Sequence, residues 1–356
     1  MPVSNESNVK LVNDTQSDDA RLAELSDWLA AALGTREYAI APASEDASFR
    51  RYFRVTLPSP QRALSDAHTL IVMDAPPPRE NCAPFVRIAT LLADAGVHAP
   101  KVLAQDLERG FLLLTDLGTA TYLHALDNAN ANALFGDALD TLVRWQLATR
   151  EGVLPPYNDA LLRRELELFP EWYIGRHLEQ TLTDAERQAL SAVFERIIAA
   201  NLAQSTVFVH RDFMPRNLMH TTPNPGVLDF QDAVIGPISY DVACLFKDAF
   251  ISWSEERVLD WTIRYWERAR RARLPVPADF ADFFRDVEWM GLQRHLKVLG
   301  IFARIRHRDG KSGYVEDTPR FIAYARPVVQ RYRELAPLAQ LIDRLEQRAP
   351  TVGYTF

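Results

Sequence analysis

Three polar residues near the middle of the chain, Asp212, Asn217 and Asp229, have side chains that together could carry out a phosphoryl transfer. That reaction needs few protein groups, because positioning and charge neutralisation lower most of its barrier. One carboxylate must orient the acceptor hydroxyl and take its proton. An amide oxygen and a second carboxylate must hold Mg²⁺ against the phosphates of ATP. The three residues have the types and the spacing that these tasks require.

These side chains need a rigid frame, which two short apolar runs can provide. Val207–Val209 and Gly226–Phe230 are typical of strands, and turn-forming residues 221–225 lie between them. A loop that leaves one strand and the end of the next strand can bring three groups to one point. We expect His210 to brace this loop and Asp241 to accept hydrogen bonds from its backbone.

The loop also matches a known pattern. The segment His210–Asn217, HRDFMPRN, agrees with the kinase catalytic loop H-R-D-x-x-x-x-N at every defined position. Asp229-Phe230-Gln231 resembles the D-F-G element, with glutamine in place of glycine. The short interval before Asp229 and the early Asp241 resemble the aminoglycoside phosphotransferase and choline kinase superfamily, since protein kinases carry a long activation loop there. The resemblance implies a catalytic group of Asp212, His210 and Asp241, with Asn217 and Asp229 as metal ligands.

Four further segments sharpen the resemblance, which extends over about residues 22–332. They are Met73–Pro77 (MDAPP), Asp229–Ala233 (DFQDA), Cys244–Phe250 (CLFKDAF) and Gln293–Gly300 (QRHLKVLG). Together they resemble the anomeric N-acetylmuramate/N-acetylglucosamine kinases of bacterial peptidoglycan recycling. That family implies ATP-dependent phosphorylation of the C1 hydroxyl of the sugar, giving an α-1-phosphate for UDP-N-acetylmuramate synthesis. A kinase for aminoglycosides or choline-like alcohols, and an inactive nucleotide-binding scaffold, are the alternatives.

The residues that would bind the nucleotide are less clearly marked. The turn Ser44–Ser48 contains no glycine, and the strand Leu70–Asp74 lacks the lysine that usually meets the phosphates. A nearby arginine could replace that charge, because guanidinium pairs well with phosphate. The candidates for phosphate contact are Ser48, Arg50, Arg51 and Arg54. By resemblance to the hinge of the superfamily, the adenine would meet backbone groups of Leu114, Thr115 and Asp116.

The residues that would hold the acceptor are inferred mainly from charge. Between Trp289 and Tyr314 the chain carries six Lys/Arg, two His and one acid, Asp309. Such a stretch suits the lactyl carboxylate of N-acetylmuramate, although a solvated helix face has the same composition. The candidates are Lys247, Arg294, His295 and Lys297, together with Trp172 and Tyr173, which either stack on a sugar or belong to the core.

Composition excludes several other classes of protein. The 356 residues are 47% hydrophobic and 24% charged, with a net charge of −7, which gives no basic face for nucleic acid. The two cysteines, Cys82 and Cys244, support no disulfide framework. The amino terminus lacks the apolar run of a secretory signal, and no run is long enough to span a membrane. We therefore predict a soluble, cytoplasmic protein. The resemblance implies a small-molecule amino sugar substrate and no obligatory protein partner.

The pattern of elements predicts an α+β, bilobal protein-kinase-like fold. Residues 1–18 are predicted as a disordered tail, residues 19–118 as a small nucleotide-binding lobe with a β-sheet, and residues 119–356 as a larger, mainly helical lobe for catalysis and acceptor binding. Strands are predicted at 38–40, 49–57, 68–74, 102–104, 111–115, 207–209 and 226–230. Helices are predicted at 19–33, 84–95, 120–149, 160–178, 184–204, 253–272, 277–305 and 318–348.

Overall fold

A computed structural model describes residues 6–44, 49–60, 65–77, 79–311 and 313–347. The chain divides into two compact units. The smaller comprises the described residues up to Asp94 together with His98–Gly118, and the larger comprises Ala95–Val97 and the described residues from Thr119 onwards. The smaller unit combines a five-stranded sheet with two helices, and helices dominate the larger unit, which confirms the predicted α+β class.

The smaller unit is built on a five-stranded sheet in the order β1-β2-β3-β5-β4, in which every neighbouring pair is antiparallel. Its strands are β1 (Ala39–Ser44), β2 (Arg51–Thr56), β3 (Thr69–Asp74), β4 (Val102–Asp106) and β5 (Phe111–Thr115). All five were predicted, because each is a short apolar or alternating run that ends at turn-forming residues. The adjacent helix α2 spans Ala83–Asp94.

The first helix, α1, spans Glu6–Leu33 and packs on this sheet. Its predicted apolar face is confirmed, since Leu25, Trp28, Leu29 and Leu33 are buried in the core of the unit. The predicted start at Asp19 was wrong. Residues 6–18 contain neither proline nor glycine, and extending an existing helix costs far less than starting one. Those residues are therefore part of α1, and residues 1–5 lie outside the described part.

The larger unit is mostly helical. Its helices are α3 (Tyr122–Ala125), α4 (Ala131–Leu147), α5 (Asp159–Leu166), a π-helix (Phe169–His177), α6 (Asp184–Leu202), α7 (Tyr240–Phe246), α8 (Glu255–Arg271), α9 (Phe280–Asp309), α10 (Thr318–Arg331) and α11 (Ala336–Leu345). Short 3₁₀ helices occur at Pro215–Asn217, Gly313–Asp317 and Arg333–Leu335. No helix in the described part of the chain has both the length and the apolar character needed to cross a membrane.

Three of the predicted helices are interrupted. The helix predicted over 120–149 is divided because the Asp127 carboxylate accepts hydrogen bonds from the N–H groups of Ala129 and Asn130, and the Asn130 side chain accepts one from the Asp127 N–H. Such local bonds compete with helical ones. The segment 160–178 changes from α5 to the π-helix around Pro170, and 318–348 is divided between α10 and α11.

Two pairs of short antiparallel strands frame the central loop. β6 (Thr206–Val209) pairs with β9 (Val234–Pro237), and β7 (Leu218–Met219) pairs with β8 (Gly226–Val227). The strand predicted over Gly226–Phe230 is shorter because Asp229 adopts a left-handed conformation, with φ of 60°, which ends the extended backbone. β9 was not predicted, since its four residues include a glycine and a proline.

Candidate active site

The loop after β6 is held by one buried carboxylate. Asp241, in the first turn of α7, is fully buried. Its Oδ2 accepts the backbone N–H of His210 at 2.7 Å, and its Oδ1 accepts that of Arg211 at 3.0 Å. Burial raises the pKa of Asp241 to about 7, while these two donors act in the opposite direction. The two bonds support Arg211 in a left-handed conformation, with φ of 78°.

His210 is a structural part of the loop. Its ring is buried, its Nδ1 accepts the backbone N–H of Asp212 at 3.2 Å, and its centroid lies 5.8 Å from that of Phe213. Burial lowers the pKa of His210 to about 4, so the ring is neutral near pH 7. Its neutral state and its contacts therefore fit a bracing role.

The three residues from which the sequence argument began lie close together. The Asn217 amide nitrogen donates to the backbone oxygen of Asp212 at 3.0 Å and to Asp229 Oδ2 at 3.3 Å. The other oxygen of Asp229, Oδ1, accepts from the Gln231 side chain at 2.7 Å. Asp212 is half-buried, so its carboxylate remains accessible beside this pair. Two carboxylates and one side-chain amide therefore lie together at this loop.

The donor set at Asp229 and Asn217 fits Mg²⁺. Mg²⁺ prefers hard oxygen ligands and is usually held by one or two side chains together with substrate phosphates and water. The Asn217 nitrogen donates its two hydrogen bonds to Asp212 and Asp229. Its amide oxygen can therefore serve as a ligand beside the Asp229 carboxylate. Among the described residues there is no cluster of three or more His, Cys, Asp or Glu that would form an all-protein metal cage.

A buried charge cluster lies behind the loop, around Glu165 of α5. Its carboxylate pairs with Arg211 at 2.6 Å and Lys297 at 3.0 Å, and it also accepts bonds from Tyr157 and Gln293. Burial alone would raise the pKa of Glu165, but the two cations outweigh it and lower the pKa to about 2. The cluster fixes the arginine of the loop motif. Sequence reasoning missed Glu165 because it belongs to no motif.

The structure separates the residues predicted to bind the acceptor. The charge of Lys297 is already paired with Glu165, and its Nζ lies 3.1 Å from the hydroxyl of Tyr240. His295 is buried, with ring centroids 5.7 Å and 5.2 Å from those of Phe321 and Tyr324, and burial lowers its pKa. Both side chains thus serve the interior of the larger unit.

The other predicted acceptor residues differ in exposure. Arg294 is buried, and its guanidinium contacts the Lys247 backbone oxygen at 3.3 Å and Met214 Sδ at 3.8 Å. The Lys247 ammonium lies 5.1 Å from the ring centre of Tyr324, and burial lowers its pKa.

In the π-helix, Tyr173 is buried and stacks on Phe169 with centroids 5.6 Å apart. The neighbouring Trp172 is half-buried. Of these two aromatic residues, Tyr173 therefore packs as a core residue.

In the smaller unit, each of the three predicted arginines faces an acid. The guanidinium of Arg51 bonds Asp74 at 2.9 Å, and that of Arg54 bonds Asp116 at 2.7 Å. The third pair is the longest, with 3.5 Å between Arg50 Nε and Glu80 Oε2. The remaining candidate for phosphate contact, Ser48, lies outside the described residues.

The predicted hinge forms the end of β5. Leu114 pairs with Ile71 of β3 and Val102 of β4, and the Thr115 N–H donates to the Lys101 carbonyl at 3.0 Å. The carboxylate of Asp116 also accepts the Gly118 N–H at 2.9 Å. Backbone groups at this strand end are thus already ordered by the sheet.

Known proteins resemble this chain over most of its length. The profile of the phosphotransferase enzyme family matches residues 39–276. An N-acetylmuramate/N-acetylglucosamine kinase of Pseudomonas putida is 54% identical over 341 residues, covering 93% of this chain and 98% of that protein. A protein of the same name from Pseudomonas aeruginosa is 52% identical over 343 residues, covering 94% and 99%.

Solved structures resemble it as well. A choline/ethanolamine kinase family protein from Mesorhizobium loti aligns with a TM-score of 0.58 at 15% identity, covering 91% of this chain and 99% of that one. At this level of identity the likeness concerns the fold alone, and it confirms the predicted kinase-like fold class.

Proposed function

The chain belongs to the phosphotransferase enzyme family, and we propose that it phosphorylates the anomeric hydroxyl of N-acetylmuramate and N-acetylglucosamine with ATP. Two observations support the proposal: the convergence of Asp212, Asn217 and Asp229 on one braced loop, and the near full-length identity to kinases named for these two sugars. The product would be the sugar α-1-phosphate, which suits peptidoglycan recycling and UDP-N-acetylmuramate synthesis. A cytoplasmic location, where ATP is available, belongs to the same proposal.

In the proposed reaction, Asp212 orients the C1 hydroxyl and accepts its proton. The bond from O1 to the γ-phosphorus forms as the bond from that phosphorus to the β–γ bridging oxygen breaks, and ADP leaves with the electron pair. An anomeric hydroxyl is more acidic than an ordinary alcohol, so the proton can transfer late. General-base catalysis of this kind contributes roughly 10²- to 10⁴-fold.

Asn217 and Asp229 are the proposed ligands of Mg²⁺, which would neutralise charge on the phosphates during transfer. The Gln231 side chain, which bonds Asp229 Oδ1, would keep that carboxylate oriented. Protein kinases have a glycine at the position of Gln231. In this chain the position carries a side-chain amide that can hold the Asp229 carboxylate.

For the nucleotide, we propose Arg50 as a phosphate contact, because a guanidinium pairs well with phosphate. Arg51 and Arg54 would act indirectly, by holding Asp74 and Asp116. Ser48 is a further proposed phosphate contact, and Leu114, Thr115 and Asp116 are proposed to lie beside the adenine.

The acceptor is the part of the proposal that a direct experiment must decide. ATP consumption would be measured with N-acetylmuramate, N-acetylglucosamine, kanamycin and choline, for the wild type and for Asp212→Asn. We expect turnover of the amino sugars and a loss of at least about a hundredfold in the variant, because its side chain cannot accept the proton. Asp260→Asn, which changes a half-exposed carboxylate of α8, is the matched control and should retain full activity.

Other results would overturn parts of the proposal. If only kanamycin or choline were turned over, the proposed phosphoryl transfer would stand, but the assignment of an amino sugar as the acceptor would be wrong. Binding of ATP without turnover of any acceptor would instead indicate a nucleotide-binding scaffold.

A further inference from the structure

Arg216 occupies an undefined position of the catalytic-loop pattern, directly before the proposed metal ligand Asn217. Its side chain is half-buried. One guanidinium nitrogen lies 3.4 Å from the Tyr314 hydroxyl, and the guanidinium carbon lies 5.4 Å from the ring centre of Phe250. The cation is therefore held against aromatic side chains, on the residue that precedes Asn217 in the loop.

Within the described part of the chain, Arg216 has no carboxylate partner at ion-pair distance, in contrast to Arg211 of the same loop, which pairs with Glu165 at 2.6 Å. A guanidinium that is partly removed from water and not neutralised is well prepared to bind an anion. Its planar fork matches the two oxygens of a carboxylate.

A second guanidinium adds positive charge to the same region. Arg294 of α9 contacts Met214, which lies between Asp212 and Arg216 in the loop, at 3.8 Å. Arg294 likewise lacks a carboxylate at ion-pair distance among the described residues, and the charge of Asp212 is one of those that act on it. Arg294 therefore adds a second positive charge next to the catalytic loop.

The neighbours of Arg216 suit a sugar ring. Phe250 and Tyr314 are both half-buried, and Tyr314 also packs on Phe302 with centroids 5.4 Å apart. Aromatic faces bury the apolar surface of a pyranose, while the tyrosine hydroxyl can donate or accept a hydrogen bond. The group of Arg216, Phe250 and Tyr314 thus combines a stacking surface with a carboxylate-binding fork.

We propose that Arg216 binds the lactyl carboxylate of N-acetylmuramate and favours this sugar over N-acetylglucosamine, which carries a hydroxyl at that position. The inference rests on the proposed function and names the residue that discriminates between its two substrates. Arg216 is a specificity residue here, and the proton transfer at Asp212 does not depend on it.

The test is the ratio of kcat/KM for N-acetylmuramate to kcat/KM for N-acetylglucosamine, measured for the wild type, Arg216→Gln and Arg216→Lys. Because a hydrogen bond between charged groups is lost, the ratio should fall roughly ten- to hundredfold in Arg216→Gln, mainly through KM for the muramate. Arg216→Lys keeps the positive charge but lacks the planar guanidinium, so its ratio should lie between those of the wild type and Arg216→Gln.

The wild-type protein provides an independent measurement with N-acetylmuramate whose lactyl carboxyl is converted to an amide. For the wild type, kcat/KM should be lower with the amide than with the natural sugar, by the same factor by which Arg216→Gln lowers kcat/KM for the natural sugar. For Arg216→Gln, kcat/KM should be nearly the same with the amide and with the acid. This comparison decides the question even if the variants unfold, since an amide as good as the acid in the wild type would overturn the proposal.

Arg257→Gln is the matched control. Arg257 is also half-buried, stacks on an aromatic ring at 4.8 Å and bonds the Asn128 side chain, but it belongs to α8, outside the catalytic loop. Its ratio should equal that of the wild type. An unchanged ratio in Arg216→Gln, or an equal loss on both sugars, would refute the role of Arg216. Failure of the wild type to turn over either sugar would instead refute the proposed function.

Discussion

Two arginines of one loop illustrate how neighbours decide what a residue can do. Arg211 is neutralised by Glu165, and Asp241 holds its backbone, so it stabilises the loop. Arg216, five residues later, faces a tyrosine hydroxyl and an aromatic ring. The guanidinium of Arg211 is thus occupied by an acid, whereas that of Arg216 has no ion-pair partner among the described residues and can bind a substrate anion.

At the same scale, His210 gives a prediction about pH. Its folded-state pKa of about 4 lies below the ordinary 6.5, so the unfolded chain binds a proton more readily than the folded one. The stabilisation is full above pH 6.5 and is lost as the pH falls towards 4, by up to about 3 kcal/mol. Asn in place of His210 keeps a neutral acceptor for the Asp212 N–H and does not titrate.

Urea unfolding of the wild type and His210→Asn between pH 7 and pH 4 measures this effect. The stability advantage of the wild type should shrink across that window. The comparison between the two proteins is needed because Asp241, Glu165 and His295 titrate in both. Unfolding free energies that run parallel from pH 7 to pH 4 would show that His210 is not a buried neutral group.

The sequence predicted the residues of the loop and their proximity, because Asp212, Asn217 and Asp229 lie in one pattern of fixed spacing. It could not predict Glu165, since that side chain comes from another helix and is paired only after folding. Lys297 was predicted to bind the acceptor for the same reason. Its partner lies far away in the sequence, and charge alone does not tell a buried pair from a binding site.

Among the elements, α9 depends on close contact with the segment before the π-helix. A Cβ at Gly300 would lie 2.4 Å from both the carbonyl carbon and the oxygen of Leu168, and the backbone cannot move aside cheaply. Gly300→Ala should therefore lower the free energy of unfolding by about 1–3 kcal/mol, the usual cost of overpacking.

Gly291→Ala in the same helix is the control. Its Cβ would meet the nearest atoms, His295 Nε2 and Ala243 Cβ, at 3.5 Å and 3.7 Å, which is ordinary contact. Because alanine favours a helix over glycine by about 1 kcal/mol, this variant should be neutral or slightly more stable. Denaturant unfolding of both variants compares them, and equal stability would show that α9 and Leu168 are further apart than described.

Elements were predicted well where periodicity is strong and less well where side chains compete with the backbone. The five strands of the smaller unit and the apolar face of α1 followed from simple patterns of hydrophobic residues. The break between α3 and α4 did not, because it depends on the Asp127 and Asn130 side chains bonding to nearby N–H groups. The strand β9 was missed because its glycine and proline are unusual in strands.

For the molecule as a whole, the charge balance makes the local arrangement of cations important. The chain carries a net charge of −7, which disfavours an anionic sugar at long range. At physiological ionic strength, salt screens the interaction of exposed charges that are more than about 8 Å apart. Arg216 and Arg294, near the catalytic loop, therefore affect the binding of an anionic sugar more than the total charge does. The family profile ends at residue 276. Arg294 in α9 and Tyr324 in α10 therefore lie outside the matched region.

The position of the transferred phosphate tests the account most directly. The product formed from ATP and N-acetylmuramate would be examined by phosphorus NMR, and the methyl glycoside of the same sugar, which has no free C1 hydroxyl, would be offered in parallel. We predict a phosphorus signal coupled to the anomeric proton of an α-1-phosphate, and no ATP consumption with the glycoside. Phosphorylation of the glycoside, or a phosphate on any other hydroxyl of the free sugar, would contradict the account.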